Sequence, residues 1–189
     1  MSDHKISRYP VPDVNDLPDD IKEIILTIQE KSGFIPNVFL TLAHRPDEFR
    51  AFMAYHDALL ERDSNLTKAE KEMIIVATSN DNNCQYCVVA HGAILRIRAK
   101  NPLIADQVAV NYRKADITEK QKAMIAFAMK VSNESGAIGD EDFETLRSHG
   151  FTDEDIWDIA GITAFFGLSN RMANFTSMRP NDEFFAMAR

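Results

Sequence analysis

The chain has two cysteines among its 189 residues, and they lie three apart. Cys84 and Cys87 sit in the segment DNNCQYCVVAHGAILRIRAK, and His91 follows the second cysteine by four. On a helix starting at Cys84, a turn of about 100° per residue puts both thiols and the imidazole on one face. The i,i+3 spacing brings the two Cα atoms to roughly 5 Å, inside the window a disulfide needs. Such a pair can open and close with little backbone movement. The i,i+4 spacing lets His91 lean back toward Cys87. A thiol reacts as its thiolate, and the ordinary pKa of about 8.5 leaves only a few per cent ionised at neutral pH. The positive end of a helix near Cys84 and a basic imidazole beside Cys87 are two devices that lower it. Glu72, one helix earlier, is placed to accept the other ring N–H and fix the tautomer. Cys87, Cys84, His91 and Glu72 are therefore the candidate catalytic residues, in a triad-like arrangement with sulfur as nucleophile.

Each of these residues also has a plainer reading. Alone, His91 reads as a core histidine and Glu72 as an exposed helix carboxylate; the spacing to the cysteines is what raises them. His44, His56 and His149 lack such company and read as structural or surface residues. Zinc is disfavoured. It needs three or four ligands, and Cys84, Cys87 and His91 would all come from two turns of one helix. No glycine-rich phosphate loop or flavin fingerprint is present, so neither a cofactor nor a metal is expected. The choice of attacking sulfur divides two arguments. The helix dipole favours Cys84, and the positioned base favours Cys87.

The elements that hold these residues read as helices. Residues 1–17 form an extended arm, because Pro10, Pro12 and Pro18 resist helix. Pro18 then serves as a first-turn residue for a helix to about Ser32, with Ile21, Ile24, Ile25 and Ile28 on one stripe and Gly33 as the stop. A second helix starts near Pro46. Thr67 and Glu70 have capping-box spacing and open a third. Asp81, Asn82 and Asn83 are candidate N-caps that would put Cys84 in the first turn of a fourth, fading by Asn101-Pro102. The segment ITEKQKAMIAFAMKVSN aligns with LTKAEKEMIIVATSN at an offset of 51 residues, through Thr67/Thr118, Lys71/Lys122, Met73/Met124, Ile74/Ile125 and Ala77/Ala128. That match points to a duplicated helical unit whose second copy carries Ala123 in place of Glu72 and no cysteine. Further helices start near Asp140 and near Asp153, the latter capped by Thr152 and running to about Asn174. No segment alternates with period two, and no composition break divides the chain. The expected fold class is all-α, in one domain over residues 1–189, with residues 66–100 carrying the redox motif.

The net charge of −8 and pI near 5.1 disfavour nucleic acid, whose phosphates call for Lys and Arg, and equally an anionic membrane surface. No apolar run approaches a membrane span and no signal peptide is visible, so the expected address is cytoplasmic. Apolar residues at Phe165, Phe166, Leu168, Met172, Phe184, Phe185 and Met187 exceed what the C-terminal segment needs and suggest burial against a second copy.

With these residues in place, a resemblance emerges. Glu72, Cys84, Tyr86-Cys87 and His91 are similar to the Glu-x11-Cys-x-x-Cys-x3-His signature of the alkylhydroperoxidase AhpD-like, carboxymuconolactone-decarboxylase-like superfamily. The stretch NRMANFTSMRPNDEF (Asn170–Phe184) resembles its peroxidase-related enzymes, and the likeness covers roughly residues 35–185. It implies an AhpD-like helical bundle and a homo-oligomer, whether dimer, trimer or hexamer. It also implies a redox-active pair that reduces a hydroperoxide or disulfide substrate with electrons from a thiol donor. By position, Cys87 would be the peroxidatic cysteine, passing through a sulfenic acid. Cys84 would be its disulfide partner and a proton donor, with His91 and Glu72 as the proton relay. Together with the i,i+4 histidine, this pattern selects Cys87 as the nucleophile. One residue departs from the AhpD pattern, which has a histidine just before the second cysteine. Tyr86 stands there instead, a hydrogen-bond donor but a poor base near pH 7. The decarboxylase branch lacks the cysteine pair, so its activity is not carried over. The second class of reading is a redox-sensing or partner-binding module that switches through the same disulfide without fast turnover.

Overall fold

A computed structural model describes residues 5–189, with ten α-helices, three short 3-10 turns and no strand among the described residues. In chain order the helices are α1 (Asp19–Ser32), α2 (Asn37–Leu42), α3 (Pro46–Leu60), α4 (Lys68–Asp81), α5 (Gln85–Ala99), α6 (Ile104–Asn111), α7 (Glu119–Glu134), α8 (Asp140–Ser148), α9 (Asp153–Phe175) and α10 (Asp182–Ala186).

Threonines open three of the main packing helices. Thr67, Thr118 and Thr152 each accept the backbone N–H three residues on, at the starts of α4, α7 and α9. Glu70, Gln121 and Asp155 each accept the N–H of the corresponding threonine in return. These reciprocal boxes satisfy donors that a helix start leaves bare. The boxes of α4 and α7 stand 51 residues apart and touch, since Gln121 Nε2 donates to Glu70 Oε1 at 3.3 Å. α9 packs on α3, α4, α5, α7 and α8 and forms the spine of the molecule. The main core joins Ile74, Ile75 and Val76 of α4, Met124 and Ile125 of α7, and Ile156, Ile159, Ile162 and Phe166 of α9. Full burial of one such side chain contributes roughly 1.5–3 kcal/mol. A smaller apolar cluster surrounds the cysteines, with Ala90, Ala93, Ala173, Met178 and Phe184. A third ties Ile21 and Ile25 of α1 to Leu42 and Phe49.

Several expectations shift in detail. Pro18 lies at the N-cap of α1, just outside the helix. Gly33, at φ 83°, ends α1 in the left-handed conformation and donates to the Gln29 carbonyl. α2, α6 and α10 have no counterpart among the helices expected from the sequence. They have six, eight and five residues, too few for a 3.6-residue period to show. Within the expected N-terminal arm, residues 1–4 lie outside the described residues. The rest is irregular apart from a 3-10 turn at Val14–Asp16. It is tied to the C-terminal stretch by Arg8 N–H donating to the Thr176 carbonyl at 2.7 Å and Arg179 N–H to the Ile6 carbonyl at 3.0 Å. The apolar C-terminal residues are also divided. Phe165, Phe166 and Phe184 are buried within their own chain, so they supply no surface for a second copy; Leu168 and Phe185 are exposed.

Candidate active site

The corner between α4 and α5 sets the cysteines. Asn82 closes α4 with its N–H on the Thr78 carbonyl, Asn83 turns the chain at φ 53°, and Cys84 N–H returns to the Ser79 carbonyl at 2.9 Å. Asparagine tolerates that left-handed conformation better than most residues. The asparagines are used in turning the chain, so the N-cap of α5 is Cys84 itself and not Asp81, Asn82 or Asn83. Its Sγ accepts the Cys87 N–H at 3.3 Å, the place a capping oxygen usually takes. The two Sγ atoms are hydrogen-bonded 2.7 Å apart, with both cysteines free. Cys84 is 0% exposed and Cys87 2%.

This geometry separates the two thiols electrostatically. The hydrogen bond with Cys87 lowers the Cys84 thiol, against the opposing effect of burial, and the Cys87 N–H, Asn170 and the His91 charge add to the lowering. Cys87 moves the other way, pushed up by the same hydrogen bond, by burial and by the neighbouring Cys84 charge. Of the two sulfurs, Cys84 is therefore the one whose thiolate form is favoured. The i,i+4 spacing puts the base beside Cys87, whereas the lowering effects converge on Cys84, the residue at the helix start.

His91 and Glu72 are brought together. His91 Nδ1 lies 2.8 Å from Glu72 Oε2, with side chains 15% and 11% exposed. The imidazole packs edge-on against Phe166, ring centroids 4.8 Å apart. Among the described residues no hydrogen bond joins His91 to either sulfur. His91 and Cys87 instead share the wall of a cavity of about 60 Å³, with Tyr86, Phe52 and Ser169. That is room for a water or a small reacting group. The Tyr86 hydroxyl accepts the Val38 N–H at 3.1 Å, which anchors the start of α2, and burial pushes the phenol well above its ordinary range. Tyr86 is thus a fixed, neutral wall.

Three contributors escaped the sequence reading. Asn170 is fully buried on α9, donates from Nδ2 to Ser79 Oγ at 2.9 Å and accepts from Asn82 Nδ2 at 3.0 Å. It clamps the spine helix to the cysteine corner. Its only sequence signal is an asparagine four residues after Phe166. Lys71 is buried and donates to the carbonyls of Leu59, Leu60 and Arg62 at 3.1, 3.2 and 3.1 Å, closing the C-terminal end of α3. His56, read as structural or surface, lines the same cavity as Cys87. A larger apolar pocket of about 580 Å³, walled by Tyr9, Tyr55 and Leu168, shares Leu42, Phe52, Phe165 and Met172 with the cysteine cavity. Among the described residues no three His, Cys, Asp or Glu side chains converge as a metal-binding set, and no helix is long and apolar enough to cross a membrane.

The carboxymuconolactone decarboxylase family model matches residues 46–102, the span of α3 to α5. No curated protein matches the chain. Among solved structures, it is similar to a peroxidase-related protein from Ralstonia eutropha JMP134 described as an alkylhydroperoxidase AhpD core. The two are 70% identical over 98% of each chain, with a TM-score of 0.98. A peroxidase-related protein from Silicibacter sp. TM1040 is 39% identical over 100% of this chain and 99% of that one, with a TM-score of 0.94. The debrominase Bmp8, solved in complex with 2,3,4-tribromopyrrole, is 21% identical over 98% of this chain and 96% of that one, with a TM-score of 0.79; it shares the fold. With identity of this level over nearly the whole length of two relatives, the chain belongs to the AhpD-like, carboxymuconolactone-decarboxylase-like superfamily.

Proposed function

We propose that the protein is a thiol-dependent peroxidase that reduces a hydroperoxide through the Cys84–Cys87 pair and is returned to the dithiol by a thiol donor. The observation that carries this reading is the hydrogen-bonded sulfur pair, 2.7 Å apart, facing a small cavity across from an imidazole held by a carboxylate. Cys87 is the sulfur that lines the cavity, and Cys84 is the sulfur whose thiolate form is favoured. The two assignments combine in one step. As the hydroperoxide enters, Cys87 passes its proton to the Cys84 thiolate and attacks the terminal oxygen. The S–O bond forms, the O–O bond breaks, and the leaving alkoxide takes a proton from His91 to depart as an alcohol. Cys84 then returns its proton to His91 and attacks the Cys87 sulfenic acid. The S–S bond forms and the hydroxide leaves as water with that proton. Glu72 holds the ring tautomer and stabilises the charge that His91 carries. Two donor thiols reverse the change and become a disulfide.

The adjoining 580 Å³ pocket is within the usual size range of small-molecule sites and would hold an apolar body whose reactive end reaches Cys87. The test is continuous consumption of cumene hydroperoxide with several recycling thiols, which Cys87→Ser should abolish. A single oxidation without turnover under all donors would remove the enzyme reading and leave a redox switch. The protein is also proposed to be a homo-oligomer, on the exposed Tyr9, Tyr55, Leu168 and Phe175 around the mouth of that pocket. Light scattering should give a mass above the 21.4 kDa of one chain; a value at 21.4 kDa would contradict it.

A further inference from the structure

The cysteine cavity has a polar neighbour. A polar cleft of about 110 Å³ lies behind it, lined by Glu61, Lys68, Lys71, Glu72 and Arg98. Two residues line both the cleft and the cysteine cavity, and both are histidines: His91 and His56. They are built alike. His91 Nδ1 meets Glu72 Oε2 at 2.8 Å, and His56 Nδ1 meets Asp57 Oδ1 at 2.9 Å. In each the carboxylate occupies Nδ1 and leaves Nε2 without a hydrogen bond among the described residues. Each ring lies against one of two neighbouring phenylalanines of α9. His91 is against Phe166 at 4.8 Å between centroids, and His56 against Phe165 at 6.1 Å. They differ in exposure: the His56 side chain is 26% exposed and its Asp57 is open to solvent, whereas Glu72 is nearly enclosed.

We propose that His56, oriented by Asp57, is a second proton-transfer residue of the cysteine site, carrying protons between the outer cleft and the cavity that holds Cys87 and His91. The proposal rests on the redox reading of the pair above. Its physical basis is a transport problem. Donor thiols attack as thiolates and leave their protons in water. When two of them reduce the Cys84–Cys87 disulfide, the S–S bond breaks and the donors' own disulfide forms. Cys87 and His91 then each regain a proton, so two protons must cross from water to a site whose cysteines are 0% and 2% exposed. An imidazole that lines both spaces can take a proton at Nδ1 by way of the solvent-open Asp57 carboxylate and release one from the free Nε2.

The test is the rate at which dithiothreitol reduces the preformed disulfide in the full-length protein, oxidised beforehand with diamide, in wild type and His56→Gln. Glutamine keeps polarity and approximate size but cannot carry a proton. The expected result is a fall of about tenfold, less than the loss of a sole acid–base group because His91 remains. Added imidazole should restore much of the rate in the variant and leave wild type unchanged. Equal thermal melting of the two proteins checks that the fold is kept. A His56→Gln protein that is reduced as fast as wild type, or one that is slow and insensitive to imidazole, would overturn the proposal. Because this readout involves no hydroperoxide, a failure of the peroxidase reading would show separately, as absent peroxide turnover in a wild type that still needs His56 for fast reduction.

Discussion

α4 and α7 begin alike and end in different chemistry. Both open on a capping box, and both bury a Met-Ile pair at the same offset, Met73-Ile74 and Met124-Ile125. In α7 the two residues before that pair are ordinary. Lys122 reaches Glu119 on the surface at 2.9 Å, and Ala123 packs partly buried against the core. In α4 the corresponding Lys71 and Glu72 are both buried, one closing the end of α3 and the other held by His91. A repeated cap and apolar stripe are therefore enough to make the helix. The site comes from placing two charged groups inside, where each needs a partner from another element.

Lys71→Met and Lys122→Met should break that comparison most visibly. The first leaves the last carbonyls of α3 without a donor and should lower unfolding stability by about 2–4 kcal/mol. The second removes one surface pair and should change it by less than about 0.5 kcal/mol. Equal effects in urea unfolding would mean that Lys71 closes nothing.

A finer contrast exchanges the next position. In the reduced protein, thiolate absorbance near 240 nm should show one sulfur ionising below the ordinary cysteine range, since Cys84 is lowered by the Cys87 hydrogen bond and further by the His91 charge. Glu72→Gln removes the carboxylate that stabilises that charge. The thiolate is then less favoured, so its midpoint should move to higher pH, by on the order of one unit or less. Ala123→Glu places a carboxylate on the copy that has no histidine. It should cost about 1 kcal/mol of stability and leave the thiol titration where it was. A Glu72→Gln midpoint identical to wild type would make Glu72 a helix carboxylate and nothing more.

How far the sequence could be read follows from the range of the interactions involved. The starts of α4, α7 and α9 were legible because a capping box spans four residues and closes on itself. The Glu72–His91 contact was legible in outline, since both residues fall on helices joined by a short corner. Cys84 as the cap was not, because Asp81, Asn82 and Asn83 are all better capping residues by type, and only the folded corner shows them used for the turn. Asn170 and His56 were out of reach for a different reason. Their roles depend on α9 and α3 closing over α5, and no local spacing encodes where distant helices meet. The split in thiol ionisation was hidden likewise, since it arises from a sulfur–sulfur distance that the spacing permits but does not set.

The pairing of the two chain ends has its own consequence. Arg179 N–H is fastened to the Ile6 carbonyl, and its neighbour Met178 forms part of the cysteine cavity wall. Tyr9, one residue beyond Arg8, walls the large pocket. Release of this one short backbone pairing would loosen both chambers together while leaving the spine helix intact. The amides of Arg8 and Arg179 should then exchange with deuterium at matching rates, well ahead of those in α4 and α9. They would act as a clock for how often the interior is open to a visitor.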